Sequence, residues 1–249
     1  MKASDGLENA DVLVSGADDL GIVLSDRQVA AFETCYRELV EWNQRSNLTA
    51  ITDWQGVLVR HFLDSLSCLC ALPRGELTTA GARVIDVGTG AGFPGLPLKI
   101  VCRDMRLTLL EATGKKVTFL KHMVEVLGLR DVQVVRGRAE EAGREAVHRE
   151  QYDWALARAV AEMPTLMEYL LPLVRVGGAV LAQKGEDAAG EVQGADASLV
   201  TLGGRVRRLV PVELRGLAET RYLVVVDKVA ATPAKYPRRP GVPRKSPLR

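Results

Sequence analysis

The chain has 249 residues, 47% hydrophobic and 26% charged, enough apolar material for one large domain or one domain with a small appendage. Its net charge of +2 excludes a uniformly basic surface. With four cysteines forming no Cys-x-x-Cys pair (35, 68, 70 and 102) and three scattered histidines (61, 122 and 148), neither a disulfide framework nor a metal site is expected.

The first 24 residues are polar and read as poorly ordered at the start, with no basic segment leading into an apolar run. No apolar stretch reaches ~18 residues, so neither export nor a membrane anchor is expected, and the cytoplasm is the expected location. Ser25 or Asp26 can cap a helix carrying Val29, Phe32, Tyr36, Leu39 and Val40 and ending at 44–47. A second helix is expected over 54–71, with Leu58, Phe62, Leu66 and Leu69 on one face. Pro73 and Gly75 then open a linker at 75–82.

From Arg83 short apolar runs alternate with amphipathic stretches. Strands are expected at 83–87, 106–110, 132–135, 152–157, 178–182, 205–213 and 221–228, and helices at 94–102, 115–127, 162–174 and 186–200. On the helix at 115–127 the expected stripe is Val117, Leu120, Val124 and Leu127. Such alternation gives an α/β fold with a mostly parallel sheet. The gap between the last two strands is too short for a parallel crossover, so they pair as an antiparallel edge hairpin, completing seven strands. The organisation is an N-terminal helical extension (1–74), an α/β domain (75–230) and a basic tail (231–249). Residues 235–249 hold Lys235, Arg238, Arg239, Arg244, Lys245 and Arg249 with no acid, leaving 27 basic and 31 acidic residues elsewhere. That end is either a polyanion contact or a solvated tail.

The segment Asp86-Val-Gly-Thr-Gly-Ala-Gly92 joins a strand to a helix. Gly88, Gly90 and Gly92 let the backbone turn sharply and approach a ligand. The next strand ends at Glu111, 23 residues after Gly88, where a carboxylate can accept from the ribose hydroxyls of an adenosine-type cofactor. Gly90-Ala-Gly-Phe-Pro-Gly95 also satisfies a dinucleotide fingerprint, a weak signal alone. Asp86 suits the cationic amino-acid end of S-adenosylmethionine and would repel a pyrophosphate, so a Rossmann-like class I methyltransferase is favoured over a nicotinamide-dependent oxidoreductase. A turn without ligand stays open. After the third strand, Ala139 and Glu140 can flank an adenine, or Glu140 can serve a helix start. Arg158 follows the fourth strand, at the ligand-binding edge of such sheets.

Several blocks together carry a resemblance: Trp42-Asn43, Asn47-Leu48-Thr49, His61-Phe-Leu-Asp-Ser65, Asp86 to Leu98 with its proline-containing helix start, Gly137-Arg-Ala-Glu140, Arg158-Ala159, Lys184-Gly185 and Tyr236-Pro-Arg-Arg-Pro-Gly-Val-Pro243. From about Arg27 onward the chain resembles the bacterial small-subunit rRNA methyltransferase G family, also called glucose-inhibited division protein B. The resemblance implies transfer of a methyl group from S-adenosylmethionine to N7 of a guanine in 16S rRNA near the decoding centre. It implies cofactor contacts from Gly88, Phe93, Glu111, Ala112, Thr113, Ala139, Glu140 and Arg158, beside Asp86, Gly90 and Gly92 of the turn. Many members carry Asp-Ser where this chain has Glu111-Ala112, which keeps the carboxylate and loses a hydroxyl.

Guanine N7 has a lone pair and no proton to lose, so attack needs no general base and rests on positioning. Arg158 and Lys184 are the candidates for that positioning. Lys184, Arg238, Arg239 and Lys245 are the candidates for RNA contact, since phosphate neutralisation dominates RNA affinity. The expected partner is 16S rRNA or the small subunit, and nothing demands more than a monomer. An RNA-binding assembly protein with a vestigial cofactor fold is the alternative.

Overall fold

The computed structural model describes residues 3–72 and 81–248. The expected linker at 75–82 falls almost wholly outside them. Seven strands, β1 (Arg83–Val87), β2 (Arg106–Glu111), β3 (Val132–Arg136), β4 (Tyr152–Arg158), β5 (Val174–Lys184), β6 (Gly204–Val212) and β7 (Arg221–Lys228), form one sheet in the order β3-β2-β1-β4-β5-β7-β6. The first five are mutually parallel, and β7 pairs antiparallel with both β5 and β6. The chain order reverses at β1, between β2 and β4, so a crevice opens beyond the carboxyl ends of these strands.

Both faces of the sheet are buried. Residues of β1, β2, β4, β5 and β7 that face one side pack with N-terminal helices in a core including Phe32, Leu39, Phe62, Leu66, Leu107, Phe119 and Leu181. Those facing the other side pack in a second core with Met163, Leu166, Leu170, Leu199 and Leu202. The helices of the first face are α1 (Ala3–Asp19), α2 (Asp26–Ser46), α3 (Trp54–Val57), α4 (Asp64–Leu66), α5 (Gly95–Val101) and α6 (Gly114–Val126). The short α7 (Ala139–Ala142) follows β3, and α8 (Met163–Leu170), α9 (Ala188–Gln193) and α10 (Asp196–Leu202) cover the other face. A final turn, α11, spans Val242–Lys245.

Local chemistry explains where expectation and structure part. The N-terminal segment is helical because Leu13 and Ala17 give α1 a face buried in the first core. Ser25 caps α2 through a capping box with Gln28, and Asn47 ends it at φ 44°. The expected helix over 54–71 is not uniform: between α3 and α4 it widens into a π turn (Leu58–Leu63), and it tightens to 3-10 geometry at Ser67–Ala71. The helix expected at 186–200 breaks at Gly194-Ala195 into α9 and α10. On α6 the buried positions are Val117, Phe119, Leu120 and Met123, so Met123 replaces Val124 in the expected stripe. The basic end is no free tail. Arg149 donates to the Gly143, Thr232 and Tyr236 carbonyls, and Arg144 to that of Pro237, drawing 232–243 against α7 and α8 as a strap.

Candidate functional site

The glycine turn leaves β1 with Gly88 and Gly90 at φ 67° and 63°, left-handed values that favour glycine. A Cβ on Gly88 would come within 2.9 Å of Val160, whereas one on Gly90 would meet nothing closer than 3.8 Å. The backbone at Gly90 therefore faces open space that a side chain would fill. Its N–H donates to Glu111 Oε2 at 3.0 Å, and the Thr113 N–H donates to Oε1 at 2.8 Å. These two amides fix the carboxylate beyond the end of β2, and Ala112 lies in the cleft beside it.

Asp86, the penultimate residue of β1, is fully buried. Its Oδ2 accepts from Thr89 Oγ1 at 2.5 Å and from the Gly95 N–H at 2.8 Å. Oδ1 is buried without a hydrogen-bond partner among the described residues. An orphaned carboxylate oxygen is costly unless a ligand supplies a donor. Burial pushes the Asp86 carboxyl up to about 6 against the opposing pull of those two hydrogen bonds.

Two clefts flank this turn. The first, of about 200 Å³, is lined by Gly88, Glu111, Ala112, Ala139, Glu140 and Val160, together with Tyr169 and Arg244. Glu140 is buried there, its Oε1 accepting from the Gly241 N–H at 2.9 Å and its Oε2 lying 3.5 Å from Arg138 Nε. The second cleft, of about 450 Å³, is lined by Ile51, Arg60, His61, Asp64, Arg158, Gln183, Lys184, Glu191 and Arg221. Four cationic side chains there face two carboxylates, so the cleft favours an anion. The loop after β4 serves both, Ala159 lining the second and Val160 the first. Ala159 holds φ 54°, a strained value for alanine that clusters at functional sites.

The second cleft depends on Asp64. Its Oδ2 accepts from Arg158 Nη1 at 2.8 Å and its Oδ1 from Arg221 Nε at 3.0 Å. One buried carboxylate thus aims two guanidiniums from β4 and β7, while Gln183 Nε2 donates to the Asp64 carbonyl at 2.6 Å. The π turn before Asp64 also carries His61, whose ring stacks on Phe93 with centroids 4.6 Å apart. Arg158 lies over the other partner of that stack, 5.3 Å from the Phe93 centroid. Burial and the neighbouring Arg158 push the His61 imidazolium down to about 4, so His61 is neutral at physiological pH. Thr49 Oγ1 lies 2.9 Å from His61 Nε2, and Asn43 Oδ1 receives the Leu48 and Thr49 N–H groups. Asn43 and Thr49 therefore build the support of His61, while Trp42 packs on Phe119 and His122.

The residues expected from sequence divide three ways. Gly88, Glu111, Ala112, Ala139 and Glu140 gather at the first cleft, with Asp86, Gly90, Phe93 and Thr113 around the same turn. Arg158 and Lys184 fall in the second cleft, but the Lys184 ammonium donates to the Ala161 carbonyl and Glu191 Oε2, both at 2.6 Å, tying α9 to the loop after β4. Gly92 packs against Leu96, away from either cleft wall. Of the RNA candidates, Arg239 and Lys245 are exposed, whereas Arg238 is engaged by the fully buried Glu168 through Nε and Nη2. The sequence reading gave no role to His61, Asp64, Gln183 or Arg221. His61 and Asp64 stood in a quoted block, while nothing near Arg221 marked it.

Comparison with known proteins settles the family. Residues 28–217 match the family described as rRNA small subunit methyltransferase G. The chain belongs to that family. It is 53% identical over 238 residues to a ribosomal RNA small subunit methyltransferase G of Roseiflexus sp., covering 96% of this chain and 99% of that one. It is 46% identical over 243 residues to a protein of the same name from Alkaliphilus metalliredigens, covering 98% and 100%. Among solved structures, TrmN from Thermus thermophilus shares the fold at TM-score 0.51 and 20% identity, over 69% of this chain and 53% of that one. The chain is an S-adenosylmethionine-dependent rRNA methyltransferase. The site fits that cofactor: Asp86 Oδ1 awaits a donor, the Gly90 backbone leaves room, and Glu111 is an acceptor beyond β2.

Proposed function

We propose that this methyltransferase modifies N7 of a guanine in 16S rRNA, on free rRNA or on the small subunit, in the cytoplasm. The observation that carries this reading is that one loop, Ala159-Val160, lines both the cleft beside the glycine turn and the cation-rich cleft. Both clefts come from one chain, so the reading needs no second copy.

In this reading Asp86 Oδ1 takes the cofactor's ammonium, the Gly88–Gly90 backbone borders its amino-acid end, and Glu111 accepts from its ribose, with Ala112 and Thr113 alongside. Ala139 and Glu140 hold the adenine edge. When bound, S-adenosylmethionine supplies an electrophilic methyl carbon on a sulfonium. The chain's task is to bring a nucleophilic lone pair in line with it and exclude water. Phe93 and His61 form a stacked wall beside the second cleft, and neutral His61 adds no charge to repel a sulfonium. Arg158 and Arg221, aimed by Asp64, donate to the incoming nucleotide's phosphate or to guanine O6. Lys184 holds the Ala159–Ala161 loop against Glu191. Guanine N7 carries no proton, so no side chain needs to act as a base.

Incubating the enzyme with labelled cofactor and either free 16S rRNA or small subunits, then mapping the labelled nucleotide, tests the assignment. Label on N7 of a single guanine supports it. Equal turnover on rRNA in which that guanine is replaced overturns it.

A further inference from the structure

The strap that closes the chain is bound with more precision than a tail needs. The guanidinium of Arg238 meets the buried Glu168 carboxylate of α8 through Nε at 2.9 Å and Nη2 at 2.6 Å, and the Arg238 backbone N–H donates to the same group at 2.8 Å. Such forked, charge-assisted contacts fix orientation as well as position. Three residues on, the Gly241 N–H reaches Glu140 Oε1 at 2.9 Å, and Thr165 Oγ1 of α8 donates to the Pro243 carbonyl at 3.2 Å. The strap thus touches the first cleft at Glu140 and borders it again at Arg244. Glu140 is buried, so the orientation of its carboxylate is set by these few donors.

We propose that the C-terminal strap is part of the cofactor site: Arg238, latched to Glu168, positions the Gly241 amide, which orients Glu140 for the adenine amino group. The proposal rests on the cofactor reading above. Glu140 touches the cofactor, and Arg238 and Gly241 are positioning residues that act through it. Glu140 Oε1 is committed to the strap amide, while Oε2, 3.5 Å from Arg138 Nε, keeps a lone pair to accept from the exocyclic amine. Without the latch the carboxylate loses its fixed partner, and the amine-specific part of the affinity goes with it.

The test compares the full-length protein's affinity for S-adenosylhomocysteine and for S-inosylhomocysteine, which has a carbonyl in place of the amine, by calorimetry. The wild type is expected to prefer the adenine compound by about tenfold or more. Arg238→Ala is expected to narrow that preference to about twofold, and Arg238→Lys, which keeps the charge without the fork, to fall between. Glu140→Gln leaves the Arg238–Glu168 pair in place and is expected to lose the preference by itself. Equal loss of affinity for both compounds in Arg238→Ala, or an undiminished preference in Glu140→Gln, overturns the proposal. Gly90→Val separates the two layers: wild-type affinity in that variant refutes the cofactor cleft itself, whereas lost affinity there with a normal preference in Arg238→Ala refutes only the strap's role.

Discussion

The two clefts are made of different materials. The first is backbone and short acids: the Gly90 amide on Glu111, the Gly95 amide on Asp86, and the Gly241 amide on Glu140. The second is long side chains from distant elements, with Arg158 of β4 and Arg221 of β7 converging on Asp64 of α4. A backbone site is preorganised by the turn that makes it. A side-chain site is preorganised only by the partners that hold each chain, here a single buried carboxylate. The first should therefore fail when the backbone is blocked, and the second when one charge is removed.

The largest expected effect is at Gly90. A valine there fills the open side of the turn and meets a left-handed φ that β-branched residues avoid. Cofactor affinity should fall by at least about a hundredfold, equivalent to about 2.7 kcal/mol. Calorimetry reads the loss and far-ultraviolet circular dichroism checks that the fold persists. Retained affinity would mean that the backbone does not hold the ligand.

Next is Asp64→Asn, which leaves two guanidiniums in a partly buried cleft without their counter-charge. Breaking one side of a buried ion pair costs about 3–5 kcal/mol. Turnover per unit rRNA concentration should drop by about a hundredfold while cofactor affinity stays within about twofold. Equal damage to both readouts would show that the clefts are not separate. Rescue by Asp64→Glu, which keeps the charge on a longer side chain, would favour charge over precise aim.

The same contrast explains what could be read from sequence. The first cleft is local: Asp86 to Gly95 is one strand, turn and helix, and Glu111 lies at a spacing set by one βα unit, so residue order carries the geometry. Strand identities and the edge hairpin were legible for the same reason, each being a short periodic run. The second cleft is not local. Arg221 sits 157 residues from Asp64, and only the crossing of the sheet order brings them together. The π turn at Leu58–Leu63 was invisible because its residues are ordinary helix formers. The strap escaped because its charges read either as a polyanion contact or as a solvated tail. Only the buried Glu168, itself unremarkable in a helical pattern, turns Arg238 inward.

A smaller effect distinguishes the charge of Asp86 from its shape. Burial raises this carboxyl to about 6, so below that pH the folded apo protein holds a proton that a bound ammonium must expel. The sign follows: cofactor affinity is full above pH 6 and falls by up to about tenfold per pH unit below it. Calorimetry between pH 5 and pH 8 in buffers of different ionisation enthalpy should show proton release on the acid side. Asp86→Asn should bind more weakly and with a flat profile. An unchanged slope in that variant would assign the titration to another group.

The smallest effect concerns the outer side of the strap. Arg239 and Lys245 are exposed, unlike Arg238, and lie on a segment whose inner side braces the first cleft. Each phosphate contact to single-stranded RNA contributes about 0.7 to the slope of log affinity against log salt. Arg239→Ala and Lys245→Ala should each weaken rRNA binding a few-fold and flatten that slope by roughly this amount, with cofactor affinity unchanged. Filter binding across a salt series reads the slope directly. A variant that weakens cofactor and leaves the slope intact would place the side chain on the inner surface. The strap would then belong wholly to the first cleft, and the anionic partner would be held by the second cleft alone.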